Sequence, residues 1–240
     1  WTDVNLTIAV AVHLGTLIAV IKYFWLDIKK YFILGSIETF KTQFTKNRKN
    51  TLNSQMFLNI LISTLPIIFI GFYIATISRD SSLINLLYSS STLFFSTSFF
   101  AIILFLSDKT RTKKKFENLS LIDAFFIGIF QIFALIPGAS RAGVCITAGR
   151  FLGYDRISAT KYSMYLSVPT ILGASFMVNT KLLNNLTSFH WIEAFFGFSL
   201  SFIFALLTID LFLKILRKIN LTIFVIYRII ISLIFAIVLV

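Results

Sequence analysis

The chain has 240 residues, of which 57% are hydrophobic and only 13% are charged, and its mean hydropathy is +0.87. Ordinary globular proteins carry about 25% charged residues, so this composition excludes a water-soluble domain and indicates a polytopic membrane protein. The net charge of +12 does not indicate a nucleic-acid partner, because the basic residues fall between apolar segments, as cytoplasmic loop charges do.

Six apolar segments are long enough to cross a bilayer, which takes about 20 residues of helix. In chain order they are Leu6–Leu26, Met56–Ile77, Leu83–Leu106, Ser158–Val178, Trp191–Leu213 and Leu221–Val240. We therefore predict an all-α membrane protein with six transmembrane helices, folded as a single transmembrane domain over residues 1–240.

A seventh apolar region, Leu119–Leu152, is interrupted by Pro137 and Gly138. Its second limb, Ser140–Leu152, has 13 residues. At about 1.5 Å per residue it spans about 20 Å, which is less than the hydrocarbon core of about 30 Å. The region therefore predicts a re-entrant helical hairpin rather than a full crossing.

Basic residues form four groups along the chain. They lie at Lys22–Lys49, Lys109–Lys115, Arg150–Lys161 and Lys214–Lys218, and positively charged loops of membrane proteins face the cytoplasm. If residues 119–152 double back, all four groups lie on the cytoplasmic face. If those residues cross once, the last two groups cannot both lie there. The charge pattern favours the hairpin, with both termini on the outer side.

The hairpin separates two trios of spans that run in opposite directions. This is the topology of an inverted repeat, with residues 6–106 as the remainder of the first repeat and residues 119–240 as the second. A complete first repeat needs its own hairpin before Leu6, and the chain opens at Trp1 without an initiator Met. We therefore expect that an N-terminal hairpin is missing from this sequence.

Functional chemistry is concentrated in the turn of the hairpin, Pro137–Gly143. An arginine inside a membrane is costly and marks a functional site, and its planar fork of donors suits phosphate oxygens. We predict Arg141 and Ser140 as the catalytic pair, with Ser140 donating a hydrogen bond to phosphate. We also predict that Gly138, Ala139 and Gly143 bind substrate, because their small size lets the phosphate approach the backbone. The alternatives are a snorkelling or ion-paired Arg141 and a Ser140 that caps the following helix.

The same turn carries a family resemblance. Together with Phe130–Ile136 and Leu166–Ala174, it resembles the bacterial undecaprenyl-diphosphatase family of the bacitracin-resistance type, and His13–Val20 and Ile226–Arg228 match as well. The resemblance covers nearly the whole chain. It implies an integral phosphatase of the bacterial inner membrane that converts undecaprenyl diphosphate to undecaprenyl phosphate, the recycled lipid carrier of cell-wall synthesis, at an active site open to the periplasm.

The chain departs from the family pattern in two places. The family's first hairpin carries a glutamate-rich motif and a Ser-Ser-Thr-Gly-His run, and no segment of this chain matches either. In addition, the family usually has a second serine directly after the arginine of the turn, whereas this chain has Ala142 there. The family is held to use a divalent cation, Mg²⁺ or Ca²⁺, whose ligands would have to come from the absent hairpin and the substrate. The implied partners are a polyprenyl diphosphate lipid and the bilayer, with a homodimer as a further expectation.

The sequence supports specific expectations for three other titratable or charged residues inside the spans. We expect His13 to be a hydrogen-bonded packing residue, and Asp210 and Arg228 to form a structural ion pair. Two alternative functions stay open: a polyprenyl-phosphate flippase or transporter, because inverted repeats with broken helices are a transporter design, and an inactive, N-terminally truncated fragment.

Overall fold

The computed structural model describes residues 3–44, 51–77, 89–182 and 191–238. The described residues are mostly helical, and the one bridge between extended segments among them joins Lys114 and Tyr154. The all-α prediction is confirmed. The α-helices are α1 (Asp3–Tyr23), α2 (Trp25–Ile28), α3 (Gly35–Phe44), α4 (Leu52–Ile77), α5 (Ser90–Asp108), α6 (Leu121–Ile132), α7 (Arg141–Phe151), α8 (Arg156–Leu182), α9 (Trp191–Leu216) and α10 (Thr222–Val238), with a π-helical segment at Lys29–Leu34 and 3₁₀ turns at Phe116–Asn118 and Phe133–Leu135.

Three of the described helices are long and apolar enough to cross a membrane. They contain the segments Leu52–Thr76, Ser91–Asp108 and Trp191–Leu216, and they match three of the predicted spans, although residues 83–88 lie outside the described residues. A fourth crossing is counted if Ile8–Tyr23 and Trp25–Lys41, which meet at an angle of 83°, form one bent span. The described helices are those of a polytopic membrane protein.

Two of the predicted spans differ from a plain apolar helix. The segment Ser158–Val178 lies within α8, which has 27 residues but buries polar side chains on its inner face. The segment Leu221–Val240 corresponds to α10, which has 17 residues, with residues 239–240 outside the described part of the chain. A polar face is expected for a helix that packs against other protein rather than lipid. The buried polar residues of α8 are Ser158, Thr160, Ser163 and Ser167.

Helices α6 and α7 form a hairpin that packs against α4, α5 and α8. The contact between α6 and α4 is especially close, because a Cβ atom built on Gly128 would lie only 2.7 Å from the carbonyl oxygen of Ser63. The buried Gln131 of α6 donates to the same carbonyl at 3.2 Å. Outside this centre, α1 packs against α9 and α8, and α5 packs against α10. Most of α7 is therefore enclosed by other helices, whereas α6 keeps exposed apolar side chains, such as Ile122 and Phe126, on its outer face.

A buried carboxylate joins several elements at one end of the bundle. Asp108, the last residue of α5, accepts hydrogen bonds from Arg156 Nε at 2.6 Å and from the N–H of Leu221 at 3.1 Å. The buried Arg150, near the end of α7, lies 3.5 Å from Asp108 and donates to the carbonyls of Asp108 and Thr110. We call these residues the Asp108 cluster. It ties α5, α7 and α8 to the residue that precedes α10.

Both ends of the hairpin are attached to the segment that follows α5. Asp123, in the first turn of α6, accepts from Lys114 Nζ at 3.0 Å and from the Tyr154 hydroxyl at 2.6 Å. The N–H of Lys114 donates to the carbonyl of Gly153, just beyond α7, at 3.0 Å. Burial and the Asp123 hydrogen bond raise the pKa of Tyr154, so this phenol stays protonated and donates. The hairpin therefore begins and ends at the same end of the bundle.

Candidate active site

The hairpin turn contains two residues with positive φ. Gly138 has φ of 89° and Ser140 has φ of 65°, a region that glycine adopts freely but that costs other residues about 1 to 2 kcal/mol. Ser140 Oγ accepts a hydrogen bond from the N–H of Gly143 at 3.3 Å, so Ser140 is the N-cap of α7. The strained backbone at Ser140 sets the direction in which α7 begins, and with it the position of Arg141.

The small residues of the turn lie against neighbouring helices. A Cβ atom on Gly138 would come within 2.3 Å of Ser96 Oγ, and one on Gly143 would come within 2.9 Å of Arg228 Nη1. Ala139 is fully buried. The absence of larger side chains therefore lets α5 and α10 approach the turn. Contact of these three residues with substrate, through their backbone, stays a prediction.

Arg141 is the first residue of α7 and is half-buried. Its Nη1 donates to the backbone carbonyl of Ser163 on α8 at 3.2 Å. The ion pairs found among the described residues do not include Arg141, so the ion-paired alternative has no support there. A carbonyl satisfies one donor but does not neutralise the charge, and an uncompensated charge inside a bundle favours an anion.

Arg141 lines a cavity of about 420 Å³ between α1, α4, the hairpin and α8. The walls are mostly apolar, with a few polar groups, as in many ligand sites. Among the described residues that line the cavity, Arg141 and His13 are the ionisable ones. The lining residues are Val10, His13, Ile67, Ala134, Arg141, Thr170, Ile171, Ala174 and Ser175.

Ser140 is exposed, but it is not among the described residues that line this cavity. The backbone N–H groups of Ser140, Arg141 and Ala142 have no backbone acceptor within the described part of the chain. Unpaired N–H groups at the first turn of a helix, with the positive end of its dipole, suit an anion. Beside the guanidinium of Arg141, they form a site with donors and positive charge but no described carboxylate.

The chain is similar to known proteins over nearly its whole length. The profile of the family described as "Bacitracin resistance protein BacA" matches residues 1–234. The chain belongs to the BacA family. Proteins named undecaprenyl-diphosphatase from Jannaschia sp. and Pelagibacter ubique are 34% and 35% identical to it over 233 and 236 residues. The first alignment covers 97% of this chain and 84% of the relative, and the second covers 96% and 81%. The family resemblance inferred from the sequence is confirmed.

The cavity of this BacA-family chain does not by itself fit a divalent cation. Mg²⁺ and Ca²⁺ prefer carboxylate and carbonyl oxygens, whereas the described lining has one imidazole and no carboxylate. In the part of the chain that the structure describes, no three His, Cys, Asp or Glu residues lie together. The described residues thus provide no complete ligand set for either ion.

His13 is the residue of this site that sequence reasoning assigned wrongly. We expected a hydrogen-bonded packing residue, but the His13 side chain is exposed and its ring makes no hydrogen bond with another described residue. Its neighbour Thr16 bonds only to the His13 backbone carbonyl. The available signal was that His13 opens the segment His13–Val20, one of the four that carry the family resemblance.

The expected ion pair between Asp210 and Arg228 is also wrong. Asp210 instead pairs with Lys214, one turn further along α9, at 2.6 Å, and accepts from the Tyr23 hydroxyl at 3.2 Å. Arg228 turns toward the hairpin and donates from Nη2 to the carbonyl of Gly138 at 2.6 Å. Asp210 therefore pairs with a residue of its own helix, and Arg228 contacts the turn of the hairpin.

Proposed function

We propose that this chain hydrolyses undecaprenyl diphosphate to undecaprenyl phosphate and inorganic phosphate, and that the terminal phosphate binds beside Arg141. Membership of the BacA family and similarity to proteins named undecaprenyl-diphosphatase support the reaction. One observation carries the site: Arg141 lines a cavity between helices, with a backbone carbonyl as its protein partner and no described acid beside it.

The proposed reaction is an in-line displacement at the terminal phosphorus. The oxygen of a water molecule forms a bond to that phosphorus while the bond between the phosphorus and the bridging oxygen breaks. The lipid monophosphate leaves with the bridging oxygen, and both water protons end on the inorganic phosphate. Arg141 neutralises charge on the non-bridging oxygens, where a fixed cation stabilises the transition state. Ser140 and the N–H groups at the start of α7 donate to the same oxygens, and His13 donates from α1. A Mg²⁺ or Ca²⁺ ion remains an expectation, with ligands beyond the described lining.

The proposal includes an arrangement in the bacterial inner membrane. The chain would cross the membrane six times as part of an inverted repeat, with the α6–α7 hairpin re-entrant from the cytoplasmic side. In support, both ends of the hairpin lie next to the basic segment Lys109–Lys115. Nine residues of helix at about 1.5 Å each place Arg141 about 14 Å from Arg150. That distance reaches about half the hydrocarbon core, and the cavity would open to the periplasm. A homodimer remains an expectation.

The variant Arg141→Ala tests the site. We expect the full-length protein, purified in detergent, to release phosphate from undecaprenyl diphosphate. The variant should lower kcat by about 1000-fold or more, because removal of a charge that stabilises phosphoryl transfer has effects of that order. The matched control is Arg111→Ala, since Arg111 is an exposed arginine outside the cavity. The measurement is phosphate release, with circular dichroism to confirm that both variants keep their helices.

Different results would contradict different parts of the proposal. Near-normal turnover by folded Arg141→Ala would remove Arg141 from the site. Tight binding of the lipid by the wild-type protein without phosphate release would favour transport over hydrolysis. Neither binding nor release by residues 1–240 expressed alone, beside an active full-length protein, would favour an inactive fragment.

A further inference from the structure

Arg228 contacts the hairpin turn directly. From α10, its Nη2 donates to the carbonyl of Gly138 at 2.6 Å and to that of Ala139 at 3.0 Å. Its Nη1 lies against Gly143, where a Cβ atom would come within 2.9 Å. One guanidinium therefore contacts both the turn and the first turn of α7.

The carbonyl groups on this side of the turn are bound one after another. Ser96 Oγ donates to the carbonyl of Pro137, and Thr97 Oγ1 lies 3.4 Å from that of Gly138. Arg228 completes the series at Gly138 and Ala139. Three consecutive carbonyls are thus bound by side chains of α5 and α10. Because the C=O and N–H groups of a trans peptide unit point in opposite directions, the N–H of Ser140 is directed away from Arg228.

Arg228 is not neutralised within the described part of the chain. The ion pairs there do not include it, and it is half-buried. A membrane-embedded arginine satisfied by backbone carbonyls of one particular turn is costly unless the position of that turn matters. The positive φ of Ser140, which is not a glycine, makes the turn a strained one that needs external support.

We infer that Arg228 is a positioning residue for the reaction: by binding the carbonyls of Gly138 and Ala139, it fixes the turn so that Ser140 and Arg141 keep their places at the phosphate. The inference rests on the proposed function, since it assumes that Arg141 contacts the phosphate. Arg228 is not among the described residues that line the cavity, so its effect on catalysis passes through the turn.

The test compares Arg228→Ala, Arg228→Lys and the double variant Arg141→Ala/Arg228→Ala in the full-length protein, with phosphate release from undecaprenyl diphosphate. We expect Arg228→Ala to lower kcat by about 100-fold with a smaller change in KM, because a misplacement of about 1 Å costs about that much. Arg228→Lys should retain part of the activity, since an ammonium reaches one carbonyl but lacks the two-pronged fork. The control is Arg217→Ala, an exposed arginine near the end of α9, which should leave kcat and KM unchanged.

The double variant separates this inference from the proposed function. If Arg228 acts through the turn, the loss of kcat in the double variant should be clearly smaller than the product of the two single losses, because residues that act as a unit are not additive. Wild-type kcat in folded Arg228→Ala, or a loss in the double variant equal to the product of the two single losses, would overturn the positioning role. Wild-type activity in Arg141→Ala would instead overturn the proposed site. If Arg228→Ala does not fold, Arg228→Lys decides: unchanged kcat and KM overturn the inference, and a reduced kcat supports it.

Discussion

Four arginines lie around the hairpin, and they differ in what balances their charge. Arg150 and Arg156 share the carboxylate of Asp108 at one end of the bundle. Arg141 and Arg228 have backbone carbonyls as their hydrogen-bond partners among the described residues. Since a buried charge is normally paired, the first two arginines are structural. The other two leave positive charge at the turn, where an anionic substrate can balance it.

At the scale of single residues, His13 provides a testable prediction. His13→Ala should lower kcat/KM by about 10- to 100-fold, the loss that accompanies removal of one hydrogen bond to a charged group. His13→Gln, which keeps a donor, should lose less. Ile18→Ala is the control, because Ile18 is exposed on the same helix but does not line the cavity. Phosphate release at several substrate concentrations provides the measurement. Equal activity of His13→Ala and Ile18→Ala would place His13 outside the reaction.

At the scale of elements, the hairpin was predictable and the bend after α1 was not. The length of the segment Ser140–Leu152 and the charge groups on either side predicted a doubling back from local information. The 83° bend depends on contacts far along the chain. Phe24 packs on the ring of Tyr165 with centroids 5.3 Å apart, and the Tyr165 hydroxyl donates to Asp27 at 2.5 Å. The segment Leu6–Leu26 contains no proline or other local signal of such a bend.

Close packing of the hairpin on α4 is tested by a pair of glycines. Gly128→Ala should lower the free energy of unfolding by about 1 to 3 kcal/mol, because the added methyl group would press on the Ser63 backbone of α4. Gly71→Ala should be neutral or stabilising, since the nearest atom there, of Leu135, lies 3.7 Å away and alanine favours a helix by about 1 kcal/mol over glycine. Thermal unfolding in detergent measures both. Equal melting temperatures of the Gly128→Ala and Gly71→Ala variants would show that α6 and α4 leave room for a methyl group at Gly128.

At the scale of the whole molecule, composition predicted the membrane class, and the motif directed attention to Arg141, which lines the cavity. The site's remaining parts could not be predicted, because they depend on how the helices are rotated and paired. His13 lines the same cavity as Arg141 although more than 100 residues of chain separate them, and Arg228 faces the turn rather than Asp210 because of the orientation of α10. Charge sidedness, in contrast, sums over many loops, so it predicts topology without knowledge of any single contact.

That topology has a direct test in a Cys145→Ala background. Single cysteines in place of Thr110, Lys161 and Lys218 should react with a membrane-impermeant maleimide only after permeabilisation, because all three positions are predicted to be cytoplasmic. A cysteine in place of Lys181 should react in intact spheroplasts. Labelling of the Thr110 and Lys161 positions from opposite faces would refute the re-entrant hairpin and, with it, the inverted repeat.

The Asp108 cluster also constrains how the protein can move. One carboxylate joins the ends of α5 and α8 and the residue before α10, and Arg150 attaches α7 to the same point. Helices that are joined at one end, here at the Asp108 cluster, separate least at that end and most at the opposite end, so we call the cluster the pivot. A bulky isoprenoid chain that enters sideways from the bilayer would therefore meet least resistance away from the pivot, on the same side as the guanidinium of Arg141.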